Sequence, residues 1–78
     1  MTKTLWASVE NGPESLMRIT GLIRRRGCTM KKIIMEEVQD ESKAYLTITL
    51  GVEDEDIDNI LHQMRRFQDV YEVNEIYI

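Results

Sequence analysis

The chain has 78 residues, of which 42% are hydrophobic and 31% are charged, a balance typical of one small globular domain and not of a disordered or membrane-spanning chain. One cysteine and one histidine exclude an internal disulfide and a cysteine- or histidine-rich metal site. We therefore expect residues 1–78 to form a single domain without a metal or other cofactor, in the cytoplasm.

The formal charge of −4 is distributed unevenly along the chain. Basic residues dominate residues 1–35, whereas acidic residues dominate residues 36–78. An acidic chain argues against nucleic acid as the main partner. The asymmetry suits docking onto a partner of opposite charge, although charged helix ends alone can also produce it.

The first third of the chain predicts a strand followed by a helix. Residues 4–10 alternate apolar and polar side chains, which is typical of a half-buried strand. Glycine and proline then interrupt the alternation, and the apolar spacing over residues 14–26 indicates an amphipathic helix. Gly27 suits the left-handed position that closes a helix.

The rest of the chain predicts three more strands and a second helix. Residues 28–38 predict a strand whose irregular alternation requires either a bulge between Met30 and Ile33 or apolar side chains on both faces. Residues 44–51 alternate cleanly and form the clearest strand. Three further elements are predicted: a turn over residues 39–43, a helix over 54–67 and a strand over 70–78.

The order strand, helix, strand, strand, helix, strand predicts an α+β fold of the ferredoxin-like βαββαβ type. Both helices would pack on one face of a four-stranded antiparallel sheet. Right-handed crossovers place the first and third strands in the centre and the second and fourth at the edges. The second strand is then an exposed edge rich in methionine and isoleucine, so we expect a homodimer paired through it.

Several functions that this fold can host are disfavoured by the residues present. Metal-carrying versions need two cysteines before the first helix, whereas Cys28 follows that helix and is expected to be a small buried hydrophobe. RNA-binding versions stack bases on aromatics such as Trp6 and Tyr45, but the accompanying basic signature is missing. His62 is expected to be solvated, and no acid–base pair is visible, so we expect no enzyme.

Several different short motifs are spread over residues 5–76, nearly the whole chain. They are Glu10-Asn11, Leu16 with Arg18, Gly21-Leu22, Arg26-Gly27 and Asp69-Val70. Their combination and order resemble the ACT domain, and most closely the ACT domain of the small regulatory subunit of acetolactate synthase.

This resemblance implies a regulatory chain that binds the large thiamine-diphosphate-dependent catalytic subunit of acetolactate synthase, in branched-chain amino acid biosynthesis, and raises its activity. It also implies pairing through the second strand, with a branched-chain amino acid held between the loop after the first strand of one chain and the second strand of the next. The effector-binding residues implied in this sequence are Asn11, Gly12, Glu14, Ser15, Leu16, Thr29 and Met30.

The implied effector site departs from the family pattern in ways that weaken it. Glu14 stands where responsive members have glycine, and its carboxylate would repel the carboxylate of an amino acid. Pro13 removes one backbone donor, and Thr29 replaces an asparagine. From the residues alone, Asn11 can equally be a turn residue and Leu16 a core residue.

The leading hypothesis is therefore a non-catalytic subunit that binds and activates the catalytic subunit, and the alternative is a stand-alone ACT module that senses a small amino acid. Tryptophan and arginine often anchor interfaces. The candidate contacts with the catalytic subunit are Trp6, Arg24, Arg25, Arg26, Tyr45 and Thr47.

Overall fold

The computed structural model describes residues 1–38 and 42–77, so most of the predicted turn over residues 39–43 and the last residue of the predicted fourth strand lie outside the described residues. The order of elements is confirmed. The six elements are β1 (Thr2–Glu10), α1 (Gly12–Arg25), β2 (Thr29–Val38), β3 (Lys43–Gly51), α2 (Asp54–Met64) and β4 (Val70–Ile76).

The strands form one antiparallel sheet in the order β2-β3-β1-β4, which confirms the ferredoxin-like arrangement with β1 and β3 in the centre. Alternate side chains of the two central strands face the helices and are buried, while their neighbours face the other side of the sheet. The strands and helices share one apolar core, whose largest fully buried side chains include Leu5, Leu46, Ile48, Ile19, Ile23, Ile57 and Met64.

Helix α1 begins at Gly12, two residues before the predicted start. The residue before it, Asn11, has a φ of 51° and makes no side-chain capping bond. Because the fixed φ of proline suits the first helical turn, Pro13 belongs to the helix rather than to the preceding turn. At the other end Gly27 has a φ of 75°, which confirms its predicted closing role.

Helix α2 ends at Met64, three residues before its predicted end. Beyond it, the N–H groups of Arg66 and Phe67 each donate to a carbonyl three residues earlier, at 3.1 Å, so the chain continues in tighter turns. Phe67 still packs against the core, which explains why the apolar spacing extended the predicted helix.

Among the residues that the structure describes, no helix has the length and apolar character needed to cross a membrane.

Strand β2 lies at one edge of the sheet and confirms the predicted bulge. Its register against β3 shifts between Met30 and Lys32. The two isoleucines at its centre, Ile33 and Ile34, are 41% and 40% exposed even though they lie in a strand. The outer edge of β2 is therefore apolar, and no other strand of the described residues pairs with it.

We expect Gly27→Ala and Gly21→Ala to change stability in opposite directions. A Cβ atom at either position meets nothing within 4 Å. Only Gly27 has a positive φ, so alanine there costs about 1–2 kcal/mol. Gly21 lies inside α1, where alanine gains about 1 kcal/mol. Urea denaturation of both variants measures the two changes, and a shift of the same sign in both would contradict this account.

Candidate functional site

The resemblance places most of the effector site in residues 11–16, which comprise the junction after β1 and the first turn of α1; we call them the loop at the start of α1. Asn11 and Glu14 are exposed, whereas Gly12 and Ser15 are buried. A Cβ atom on Gly12 would lie 2.8 Å from the Cβ of Ala44 and 2.8 Å from the Sδ of Met35, so the loop rests directly on β3 and β2. Leu16 is half-buried and packs against the core.

A polar network fixes this loop to the turn before β4, and we call Glu10, Ser15, Arg18 and Asp69 the loop clamp. The backbone N–H of Glu10 donates to the carbonyl of Asp69 at 2.8 Å. The Ser15 hydroxyl lies within hydrogen-bonding distance of both the Glu10 carbonyl and the Asp69 carboxylate, and its single proton is donated to one of them at a time. Arg18 Nη1 donates to the other carboxylate oxygen of Asp69 at 2.6 Å.

Sequence reasoning used Arg18 and Asp69 only as parts of a motif and missed the clamp. Arg18 also lies over the ring of Phe67, with its guanidinium carbon 5.7 Å from the ring centroid. These residues are separated by about fifty positions in the chain, so spacing along the sequence gave no sign of their contact. The clamp sets the position of the first turn of α1 relative to the sheet.

The other implied effector residues, Thr29 and Met30, lie at the opposite end of the sheet. Thr29, at the start of β2, is opposite Gly51. Val38, at the other end of β2, is opposite Lys43. Lys43 is in turn opposite Glu10, which lies beside the loop. At about 3.3 Å per residue, the two ends of β2 are about 30 Å apart. One chain therefore does not bring the two parts of the implied site together.

A cavity of about 370 Å³ lies beside Thr29, between the end of α1 and the start of α2. Its lining includes the basic Arg26 and Lys31 and the acidic Glu53 and Asp56. Cys28 also lines it; the residue predicted as a small buried hydrophobe packs against the core but is only half-buried. Burial, with a smaller contribution from Asp56, raises the pKa of the Cys28 thiol, which lowers its reactivity at neutral pH.

The candidate partner contacts fall on two separate surfaces. Trp6 and Tyr45 lie on the open face of the sheet, with ring centroids 5.5 Å apart, and Thr47 is directly opposite Trp6. The three arginines, Arg24 to Arg26, are exposed at the C-terminal end of α1, on the helix-covered side. A single flat partner surface does not contact both sets, because they lie on opposite sides of the sheet.

His62 and Lys3 belong neither to the loop clamp nor to the cavity beside Thr29. His62 is exposed on α2, as predicted. Within residues 1–38 and 42–77, no three His, Cys, Asp or Glu side chains are grouped so as to hold a metal ion. Lys3 donates to Asp54 at 2.9 Å and to Glu75 at 3.3 Å, contacts that raise its pKa and join the start of α2 to β4.

The βαββαβ order of elements and the sheet order β2-β3-β1-β4 define the class of small ferredoxin-like α+β domains. The family model described as the ACT domain matches residues 11–73. The chain belongs to the ACT domain family.

The chain is also similar to proteins with more specific names. It is 28% identical, over 97% of its length, to a protein of Archaeoglobus fulgidus named probable acetolactate synthase small subunit, 48% of which is covered. The chain thus spans about half the length of this relative.

Solved structures agree on the fold. The acetolactate synthase small subunit of Thermotoga maritima superimposes with a TM-score of 0.82 at 23% identity, over 99% of this chain and 48% of that one. The ACT domain of a GTP pyrophosphokinase from Chlorobium tepidum superimposes with a TM-score of 0.79 at 17% identity, over 97% of each chain.

Proposed function

We propose that this chain is a regulatory subunit of acetolactate synthase that binds the catalytic subunit and raises its activity. The observation that carries the proposal is the similarity to an acetolactate synthase small subunit over nearly the whole chain. The match of the ACT domain model over residues 11–73 supports a regulatory role rather than a catalytic one.

The open face of the sheet supports a protein-binding role. Two central strands present a large aromatic pair, Trp6 and Tyr45, and Tyr45 is 36% exposed. Tryptophan and tyrosine, together with arginine, are enriched among the residues that contribute most to binding at protein interfaces. We assign this face to contact with the catalytic subunit.

The test is the rate of acetolactate formation by the matched catalytic subunit with increasing amounts of this chain. We expect the rate to rise to a plateau and the two chains to co-purify. Tyr45→Ser should weaken the activation, whereas His62→Ser, at an exposed side chain on α2, should not. No activation at saturating concentration would overturn the proposal.

We further propose a homodimer paired through β2. Antiparallel pairing of two β2 strands about a two-fold axis near Ile33 and Ile34 places Thr29 of the second copy opposite Val38 of the first. That end of β2 adjoins the loop at Gly12, whose neighbour is Met35. The dimer therefore brings together the two parts of the implied effector site that lie about 30 Å apart in one chain.

We expect the double variant Ile33→Glu/Ile34→Glu to be a folded monomer. Four carboxylates would meet at the two-fold axis, and like charges directly opposite each other in a sheet are destabilising. Both side chains are at least 40% exposed, so the fold of one chain tolerates the change. Sedimentation velocity measures the mass, circular dichroism checks the fold, and Tyr71→Glu on the other edge strand is the control. A double variant that stays dimeric would contradict pairing through β2.

The alternative is an ACT module that senses an amino acid. It is favoured by the same dimer, in which Thr29 of one copy lies near the loop at Gly12 of the other. The start of α1 offers a positive helix end to a carboxylate. However, Pro13 has no N–H and the N–H of Ser15 donates to the Asn11 carbonyl at 3.0 Å, so few donors remain.

We expect Glu14→Gly to bind a branched-chain amino acid more tightly than the unchanged chain does. The substitution removes an exposed carboxylate from the first turn of α1, where the ligand carboxylate would approach. Calorimetry with valine, leucine and isoleucine measures the affinity, and Glu55→Gly in the first turn of α2 is the control. Equal or weaker binding by Glu14→Gly would exclude repulsion as the reason for a weak site.

A further inference from the structure

The side of α1 that faces away from the sheet forms a shallow groove. Its lining consists of Met17, Arg18, Gly21, Arg24 and Arg25, and its volume is about 550 Å³. The buried residues of the helix lie on the opposite side. Met17 is 76% exposed in the middle of this surface. We call Met17, Gly21, Arg24 and Arg25 the outer face of α1.

No contact within residues 1–38 and 42–77 explains glycine at position 21. Gly21 lies inside a 14-residue helix, where glycine costs about 1 kcal/mol relative to alanine. Its φ is not positive, and a Cβ atom there would meet no atom within 4 Å. Neither the backbone nor the packing of this chain therefore requires a glycine. The remaining physical reason for one is close approach by the backbone of another molecule.

The charges around Gly21 indicate the chemistry of that molecule. Arg24 and Arg25 are exposed and form no ion pair with any described residue, whereas Arg18 pairs with Asp69 at the side of the helix. The chain is acidic overall, so this basic surface is a local feature. Unpaired arginines beside an exposed methionine suit a partner surface that carries carboxylates next to an apolar side chain.

We propose that the outer face of α1 docks an acidic segment of the catalytic subunit. The segment lies across Gly21, its apolar side chain contacts Met17, and its carboxylates pair with Arg24 and Arg25. This inference rests on the proposed function, because it names the surface by which the regulatory chain holds its partner. The outer face of α1 would then be a second contact with the catalytic subunit, in addition to the open face of the sheet.

The first test fills the groove without harming the fold. Gly21→Gln places a side chain where the structure has open space and raises helix propensity, so the variant should be at least as stable as the unchanged chain. Asn59→Gln, on the exposed side of α2, is the matched control. We expect Gly21→Gln to weaken binding to the matched catalytic subunit by about tenfold, as for a residue at the centre of an interface, and Asn59→Gln to leave it unchanged.

The second test reverses charge on the same surface. We expect Arg24→Glu/Arg25→Glu to weaken binding, with a loss that shrinks as salt is added, because salt screens charge pairs. Arg66→Glu, at an exposed arginine just beyond α2, should leave binding unchanged. Thermal denaturation of each variant separates lost binding from lost folding.

The outcomes distinguish this inference from the proposed function. If the unchanged chain does not bind the catalytic subunit, the proposed function fails and this inference fails with it. If the unchanged chain binds and Gly21→Gln binds equally well, only the docking surface is overturned. If Gly21→Gln instead changes the mass of this chain alone in sedimentation, the outer face of α1 contacts a second copy, and the assignment to the catalytic subunit is overturned.

Discussion

Replacing Asp69 by alanine is expected to lower the free energy of unfolding by about 2–3 kcal/mol. The carboxylate of Asp69 accepts a hydrogen bond from Arg18, shares the Ser15 hydroxyl proton with the Glu10 carbonyl, and is itself 16% exposed. Arg18 is 50% exposed, so its share is reduced by solvent, and most of the loss comes from the partly buried bond to Ser15. Urea denaturation followed by the fluorescence of the single tryptophan measures the change.

Two further variants distinguish a clamp from a general surface effect. Asp69→Asn keeps the shape of the side chain and one acceptor oxygen, so it should lose only about 1 kcal/mol. Glu72→Ala removes an exposed carboxylate on β4 that contacts only Asn74 among the described residues, and it should change stability by less than about 0.5 kcal/mol. Equal effects of Asp69→Ala and Glu72→Ala would contradict the role assigned to Asp69.

The clamp also links stability to the site. The carbonyl of Asp69 accepts from Glu10 and its carboxylate accepts from Ser15, so the turn before β4 holds both ends of the loop at the start of α1. Without the carboxylate, the main-chain bond remains and the side-chain bond is lost. Hydrogen exchange at Ser15 should therefore become faster in Asp69→Ala, while exchange in β3 stays slow.

The sequence predicts the sheet well because each central strand has a single buried face. The strict alternation through Leu46, Ile48 and Leu50 fixes which side of β3 meets the helices, and a slip of one residue would expose all three. Irregular alternation in the second strand likewise predicts the bulge that the structure has between Met30 and Lys32. The alternation of apolar and polar residues within each strand determines its buried face and its bulge, so both can be predicted from the sequence of the strand alone.

The features that sequence reasoning missed depend on contacts between distant parts of the chain. Ser15 has the sequence character of an ordinary exposed residue of a first helical turn, yet it is 1% exposed because Asp69 and Glu10 surround its hydroxyl. Phe67 fits the stripe of α2 by spacing but packs on the core from a turn. The separation of Thr29 from the loop at Gly12 follows only from the register of the sheet.

The sequence around Gly12 does not reveal that this residue touches a distant strand. We expect Gly12→Ala to lower the free energy of unfolding by about 1–3 kcal/mol. Its φ is not positive, so contact rather than backbone conformation requires glycine there. A Cβ atom would lie 2.8 Å from the Cβ of Ala44 and from the Sδ of Met35. Met35 is 36% exposed and can move its sulfur aside, whereas Ala44 is fully buried in a central strand and cannot.

Ala44 therefore provides the decisive test of the clash. Ala44→Gly alone should destabilise the protein by about 0.5–1 kcal/mol, because glycine weakens a strand. In the double variant Gly12→Ala/Ala44→Gly the two methyl groups no longer meet, so its loss should be smaller than the two single losses taken together. Urea denaturation of the four proteins gives the coupling. Strict additivity would mean that the loop moves away from β3 to relieve the clash, in which case the loop clamp, and not this contact, sets where α1 begins.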